Sequence, residues 1–230
     1  YNRFWKWAEE DPFLKGRLMN DIYLNNISDY DQWENCPPKK KIEKVDSFSG
    51  DFDVNGCTIY GLYSIYGYGL VKENAGKIYD LSIRKSYIRG DSSVGGICQD
   101  NFSFISDCVF GGKLASTNKD ITNYDKMAGI CTTNYGEIEK CGFEGSMEIT
   151  SGWRLKGFRA GICTFNHYSG NIRQCYNLSF LKPQDGGDLC YAIANRWEEN
   201  CVARKDSAWM ISCESQVTLI EGEEILYFSA

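Results

Sequence analysis

The chain has 230 residues and a formal net charge of −6, enough length for one large domain or two small ones with a sizeable core. No basic cluster exceeds the short run Lys39–Lys41, which argues against a nucleic-acid partner, because phosphate binding needs a concentrated positive face. No apolar run approaches the roughly 20 residues that span a bilayer, so no membrane insertion is expected, and 23 glycines beside 4 prolines give a strand-and-turn composition.

Residues 2–15, "NRFWKWAEEDPFLK", read as a short amphipathic helix or helical turn carrying Phe4, Trp5, Trp7 and Phe13. Residues 16–30 give a first strand. Residues 31–45, with Pro37, Pro38 and the lysine run, give a loop. Residues 1–45 thus form an N-terminal cap and first strand. The segment 46–66 is the first clear unit of a repeat that continues to 201, and 202–230 supply C-terminal cap strands. All of this is expected to form one structural domain. Tyr1 does not open a signal peptide, as expected of a segment from a longer or processed chain.

The repeat aligns on a residue pair: Leu70-Val71, Ile97-Cys98, Ile130-Cys131, Ile162-Cys163 and Leu189-Cys190. Asparagine follows each pair at Asn74, Asn101, Asn134 and Asn166, with Ile193 in the fifth copy. Isoleucine follows at Ile78, Ile105, Ile138 and Ile172. Leu81, Cys108, Cys141 and Cys175 come next, with Cys201 in that place in the degenerate last copy. A period of roughly 30 residues is typical of stacked coils. The apolar residues come in short β-type clusters, and no segment beyond residue 16 keeps a long helical period. The expected fold is therefore all-β: a single-stranded parallel β-helix (β-solenoid) with rungs of two or three short strands and a short N-terminal helical cap, which covers an open sheet end.

Equivalent residues on successive rungs stack about 4.8 Å apart. Isoleucine over isoleucine fills the bore. Asparagine over asparagine sets each side-chain amide beside the next, and its tolerance of left-handed backbone assigns it to a sharp corner. Cys98, Cys131 and Cys163, and likewise Cys108, Cys141 and Cys175, act as small apolar residues in inward ladders. Two other readings compete. Stacked cysteines could oxidise, although 11 is an odd number and one strand spacing is only marginally suitable. Zinc wants short C-x-x-C or C-x-x-H spacings, which are absent, and His167 is the single histidine. No metal and no cofactor are expected.

Several stretches resemble a known family. "FSGDFDVNGCTIYGLY" (48–63) is similar to the stretch F-x-G-x-F-D-G-x-G-x-x-I-x-G-L-Y of bacterial GLUG-motif proteins. "LMNDIYLN" (18–25) resembles their L-x-x-D-I-x-L strand, "YDQWENCPP" (30–38) their tryptophan-containing linker, and the Gly-Ile-Cys units their V-G-G-I-C-G-x-N-x-G-x-I-x-N-C repeats. The likeness covers residue 18 to about 180. It implies a right-handed parallel β-helix in large secreted or surface-attached bacterial proteins, often adhesin-like, with flanking domains. The chain departs from the pattern at Val54, which replaces a glycine and implies a different turn. The glycine after the repeat Cys is Gln99, Thr132 or Thr164 here. The family has no shared catalytic set, so no catalytic residue is assigned.

Rung length carries the functional hint. Cys108 to Ile130 and Cys141 to Ile162 are longer than Leu81 to Ile97, and the surplus falls in 116–127 and 150–159. Insertions at one rung position lie side by side and are frequently the binding face of a solenoid. Tyr124, Trp153, Arg154, Phe158 and Arg159 stand there, and His167 follows in the lengthened "NHYSGN" (166–171). Aromatic rings with arginine around them suit sugar or peptide recognition; outer-sheet packing is the plainer reading. The tyrosines of "YGLYSIYGYGL" (60–70) read as cross-strand packing. Asp120 with Asp125, and Asp185 with Asp188, read as solvated loop residues.

These observations give three functional expectations. The first is a bacterial surface or secreted binding module for an extracellular glycan or protein. The second is a glycan-active enzyme, a lyase or hydrolase, on a β-helix scaffold. The third is a purely structural stalk. An extracellular or cell-surface location is implied by the resemblance, while eleven cysteines leave a cytoplasmic one open.

Overall fold

A computed structural model of the chain describes residues 2–11, 13–117, 125–149, 157–181, 189–191, 193–196, 210–211, 214–215 and 228–229. Apart from one short helix and a 3₁₀ turn, the regular structure is β, and every strand pair but the last is parallel. One full rung shows the plan. Cys98–Asn101 lies in an Asn sheet, Phe104–Ser106 in an Ile sheet, Val109–Ser116 in a long sheet and Asp125–Ala128 in a short sheet. Cys131 then begins the next turn directly beneath Cys98. Among the described residues these sheets hold six, seven, eleven and four strands. Each rung thus has four sides where two or three strands were expected. The architecture is a parallel β-helix.

The ladders meet in register. Ile78, Ile105, Ile138 and Ile172 pair in sequence and are fully buried, each contributing about 2–3 kcal/mol of burial free energy. Cys98, Cys131 and Cys163 pair in the Asn sheet and are fully buried. Cys108, Cys141 and Cys175 occupy the inner corner after the Ile sheet, and these three, like Cys98, Cys131 and Cys163, are free thiols. Each corner thiol reaches the carbonyl two residues back, Cys108 to Ser106 at 3.0 Å and Cys141 to Glu139 at 3.2 Å.

The asparagine row is a hydrogen-bonded chain. Asn74 Nδ2 donates to Asn101 Oδ1, Asn101 to Asn134 and Asn134 to Asn166, each at 2.8 Å. The corner assignment needs correcting, however. The left-handed residues are Asp80, Asp107, Lys140 and Gln174, with φ of 50–55°, and each directly precedes the Leu or Cys of the second ladder. The ladder asparagines keep negative φ. Their amides instead reach across the turn, as when Asn101 Nδ2 meets Glu137 O at 3.3 Å, so they close corners with side chains and not with backbone. The opposite corner is closed by glycine: a Cβ on Gly129 would overlap the carbonyl oxygen of Gly161 one rung on.

The fifth copy also needs correcting. Ile162 N donates to Ile193 O at 2.9 Å, and Cys163 pairs with Ala194, so the pair is Ile193-Ala194. Leu189 instead pairs with Phe158 in the short sheet. Arg196 takes the asparagine place. Further on, Met210 pairs with Ile172, and Glu214 with Tyr176. Cys201, expected in the last ladder place, lies outside the described residues. Phe228–Ser229 pairs antiparallel with Glu214–Ser215.

At the other end the helix α1, Asn2–Glu10, covers the first rungs. Trp5 and Ala8 are buried, and Trp5 meets Phe48 and Phe52 edge-on at 5.4 and 5.1 Å. The helix stops before Asp11, whose successor Pro12 disfavours α backbone at the residue ahead of it. Trp7 and Phe13 stay exposed. The expected first strand is a partial rung of two pieces, Lys15–Arg17 beside Asp51–Asp53 and Ile22–Tyr23 beside Thr58–Tyr60. Val54 is buried, and the turn it displaces is made by Asn55 and Gly56, both at positive φ. Outside the long sheet, Trp33 packs edge-on against Tyr63, which stacks on Tyr87; this pins the 30–45 segment to the coil.

Candidate functional site

The outward faces of the Asn sheet and the short sheet flank the glycine turn, and side chains of the two faces touch across it, which makes this corner a candidate groove. Its walls come from residue pairs on either side of the glycine turn: Ser93 with Asp100, Lys126 with Thr133, and Phe158 with Phe165. On one wall Glu73, Asp100, Thr133 and Phe165 follow one another on successive rungs. On the other stand Ser93, Lys126 and Phe158.

The side chains converge. The Phe158 and Phe165 rings lie 4.9 Å apart at 59°. Lys126 Nζ sits over the Phe165 ring at 5.1 Å, within cation–π range. Gln99 Nε2 reaches Ser93 O at 3.1 Å, and Thr132 Oγ1 donates to Gln99 O at 2.8 Å, which hold the floor. Burial pushes the Asp100 carboxyl above its ordinary value. The charge of Glu73 adds to this, while Thr133, Lys126 and Lys72 pull the other way.

On the groove wall Glu73 pairs with Lys72 at 3.7 Å, and further ion pairs form elsewhere on the coil. On the Ile sheet Arg173 pairs with Glu137 and Glu139. On the long sheet Arg84 pairs with Glu144, which also accepts from Tyr176 at 2.7 Å; those bonds lower the Glu144 carboxyl, the bond from Arg84 most. Among the described residues neither Asp100 nor Lys126 has an ion-pair partner. Two half-buried opposite charges and two half-buried rings therefore share one corner of the coil.

Of the residues expected at a site, Tyr124, Trp153 and Arg154 lie outside the described residues. Phe158 and Arg159 belong to the strand Gly157–Ala160 and not to the insertion itself. Phe158 faces the groove. Arg159 stands in the place of Val94 and Met127 and is 1% exposed, so it lies behind the groove wall. Asp125, read as a solvated loop residue, opens the strand Asp125–Ala128 and is buried. The two insertions do leave and return at matched register: Ser116 pairs with Ile149, and Asp125 with Gly157. They therefore re-enter at the head of the groove's short-sheet wall.

His167 is brought elsewhere, to the far edge of the Asn sheet. Phe102, Tyr135 and His167 each follow a ladder asparagine, and their rings form a row. Phe102 and Tyr135 stack at 4.8 Å and 5°, Tyr135 and His167 at 4.7 Å, and His167 and Tyr168 at 3.8 Å. His167 Nδ1 lies 3.0 Å from Ser169 Oγ, which donates to Tyr135 O. Sequence reasoning missed Asp100, Lys126 and Phe165 in the groove and Phe102 and Tyr135 in the row. The usable signals were the fixed offset across each Gly-Ile turn and the residue after each asparagine.

No family model and no curated protein matches the sequence. Among solved structures, one titled "IgA1 Protease" superposes with a TM-score of 0.60 at 13% identity, over 98% of this chain and 20% of that one. The chain thus spans about a fifth of that neighbour's length. No described helix is long and apolar enough to cross a membrane. At this identity the likeness establishes the scaffold, a parallel β-helix.

Proposed function

We propose that the chain is a recognition module of a secreted or cell-surface bacterial protein, binding an extracellular glycan or protein in the groove between the Asn and short sheets. The observation that carries this reading is the convergence of Phe158, Phe165, Lys126 and Asp100 on one corner of the coil, with neither charge in an ion pair among the described residues. A pyranose ring packs its C–H face on an aromatic ring and uses its hydroxyls on charged acceptors and donors. The GLUG-like segments, the matched insertions and the fold match to part of a larger chain titled IgA1 Protease support a module set among flanking domains.

One observation favours a second reading. Asp100, its carboxyl raised, lies next to Glu73 on the neighbouring rung, as an acid and a base of a glycan-cleaving enzyme would.

The test is a glycan and extracellular-protein array probed with the chain, Phe158→Ala and Trp153→Ala, followed by turnover assays on the same glycans. Specific capture lost in Phe158→Ala supports recognition at the groove. Turnover abolished by Asp100→Asn supports the enzyme. A blank array with no turnover, from a folded chain, sinks both and leaves a stalk.

A further inference from the structure

Lys40 and Lys41 of the lysine run line a second concavity, which shares no lining residue with the groove. A cavity of about 240 Å³ opens where the first partial rung meets the 30–45 segment, and its wall includes Tyr23, Asn25, Lys40, Lys41, Ile42 and Tyr63. Its geometry is fixed by backbone. Asn25 Nδ2 donates to both Lys40 O and Gly61 O at 2.9 Å, tying the lysine loop to the coil. Ile42 N donates to Tyr63 O at 3.0 Å, and Ile42 is buried. Lys40 and Lys41 thereby both line the cavity, and Lys41 Nζ lies 5.8 Å from the Tyr66 ring centroid.

Two features indicate what would fill it. The lining contains no acidic residue, and neither Lys40 nor Lys41 makes an ion pair among the described residues, in a chain whose net charge is −6. Tyr23 stacks on Tyr60 at 4.7 Å and 10°. It sits on the edge strand of the long sheet, so among the described residues no further strand pairs beyond it, and it is 64% exposed. Two lysines in a lining without a carboxylate select an anion. A free tyrosine face and apolar wall atoms select a ring. The volume is too large for an inorganic anion and suits one ring with a charged substituent.

We infer that this cavity binds an anionic sugar unit, carboxylated or sulfated, with its acidic group on Lys40 and Lys41 and its ring on Tyr23. The site is separate from the groove and does not depend on it.

The test is titration of the full chain at low salt, followed by isothermal calorimetry or amide chemical shifts. The probes are glucuronate, glucose 6-sulfate, glucose and inorganic sulfate. Glucuronate or glucose 6-sulfate should bind at least tenfold more tightly than glucose and than sulfate alone, and weaken as salt rises. The preferred probe identifies the acidic group. Lys40→Gln/Lys41→Gln, which keeps both stems, should weaken binding about tenfold or more, and Tyr23→Ala several-fold. Phe158→Ala should leave it unchanged, so failure here and failure at the groove are distinguishable. Equal binding of glucose, equal binding of sulfate, or unchanged affinity in the lysine double variant would overturn the assignment. These side chains line an open surface, so the variants should keep the wild-type unfolding transition, checked by circular dichroism.

Discussion

Asn101 and Asn134 are joined by a single 2.8 Å hydrogen bond, Nδ2 to Oδ1, at the centre of a row that runs from Asn74 to Asn166. Each central amide donates to the next rung, accepts from the previous one, and is fully or almost fully buried. Removing one therefore strands a donor on one side and an acceptor on the other, and each stranded buried group costs about 1–3 kcal/mol. Asn134→Ala should destabilise the fold by about 2–5 kcal/mol in urea unfolding. Asn74→Ala should cost less, because the row ends there: Phe48, not an asparagine, stands at that place on the preceding rung.

The buried thiols predict both a labelling pattern and a pH dependence. In the native chain the exposed Cys36 should be alkylated first, while Cys98, Cys108, Cys131, Cys141, Cys163 and Cys175 stay protected until unfolding. Burial drives the Cys131 and Cys141 thiols well above the ordinary 9.0, and neighbouring ladder thiols contribute. A thiol whose folded pKa is raised contributes stability that is fully present below its unfolded value and is lost as pH rises. Tyr79 and Tyr176, both pushed up to about 12 mainly by burial, extend the same trend. Unfolding midpoints should therefore fall progressively above pH 9. A flat profile from pH 8 to 11 would contradict the buried ladder. Peptide mapping after brief alkylation reads the first half of this prediction.

The left-handed corner residues give a conformational test. Lys140 is exposed and holds φ of 52°, a region that costs an ordinary residue roughly 1 kcal/mol. Lys140→Gly should be neutral or stabilise by up to about 1 kcal/mol, because relief of the strain is offset by glycine's larger unfolded-state entropy. Lys140→Val should destabilise by about 1–2 kcal/mol, since a β-branched residue resists that conformation. Thermal unfolding of the two variants checks the sign.

These corners also show why only part of the molecule was legible. Ile78, Ile105, Ile138 and Ile172 announce the coil because a bore position accepts few residue types and recurs on every rung. The left-handed positions hold Asp80, Asp107, Lys140 and Gln174, chemically unlike residues selected only by exposure, so no repeat is visible there. The register slipped at Leu189-Cys190 because that pair imitates the Gly-Ile-Cys pattern, while the backbone places Ile193 and Ala194, which lack the cysteine, at that station. The groove was half visible. Phe158 was found through its neighbouring insertion, but Asp100 and Lys126 belong to different sheets and are joined only by the fold around the glycine corner. Arg159 was found as well, yet strand alternation turns it inward, because it follows Phe158 by one residue.

Asp100 carries the prediction that ties stability to function. Its carboxyl is raised chiefly by burial and next by Glu73. A carboxylate whose folded pKa is raised contributes stability below its ordinary 3.8 and loses it as pH rises through the folded value, so at neutral pH ionised Asp100 weighs against the fold. Asp100→Asn keeps the shape, removes the charge, and should raise the unfolding midpoint at pH 7 but not at pH 3. The same substitution should weaken capture of any ligand held in the groove by about tenfold, the scale of one charged hydrogen bond. A residue kept for packing would show neither the pH-dependent gain nor the loss of binding. A variant more stable at pH 7 and poorer at binding would mark Asp100 as a group held in the groove at a cost to the fold. A variant less stable at pH 7 would show that the carboxylate makes a net favourable contact, Lys126 and Lys72 being cations that favour its charged form, and would move the site away from it.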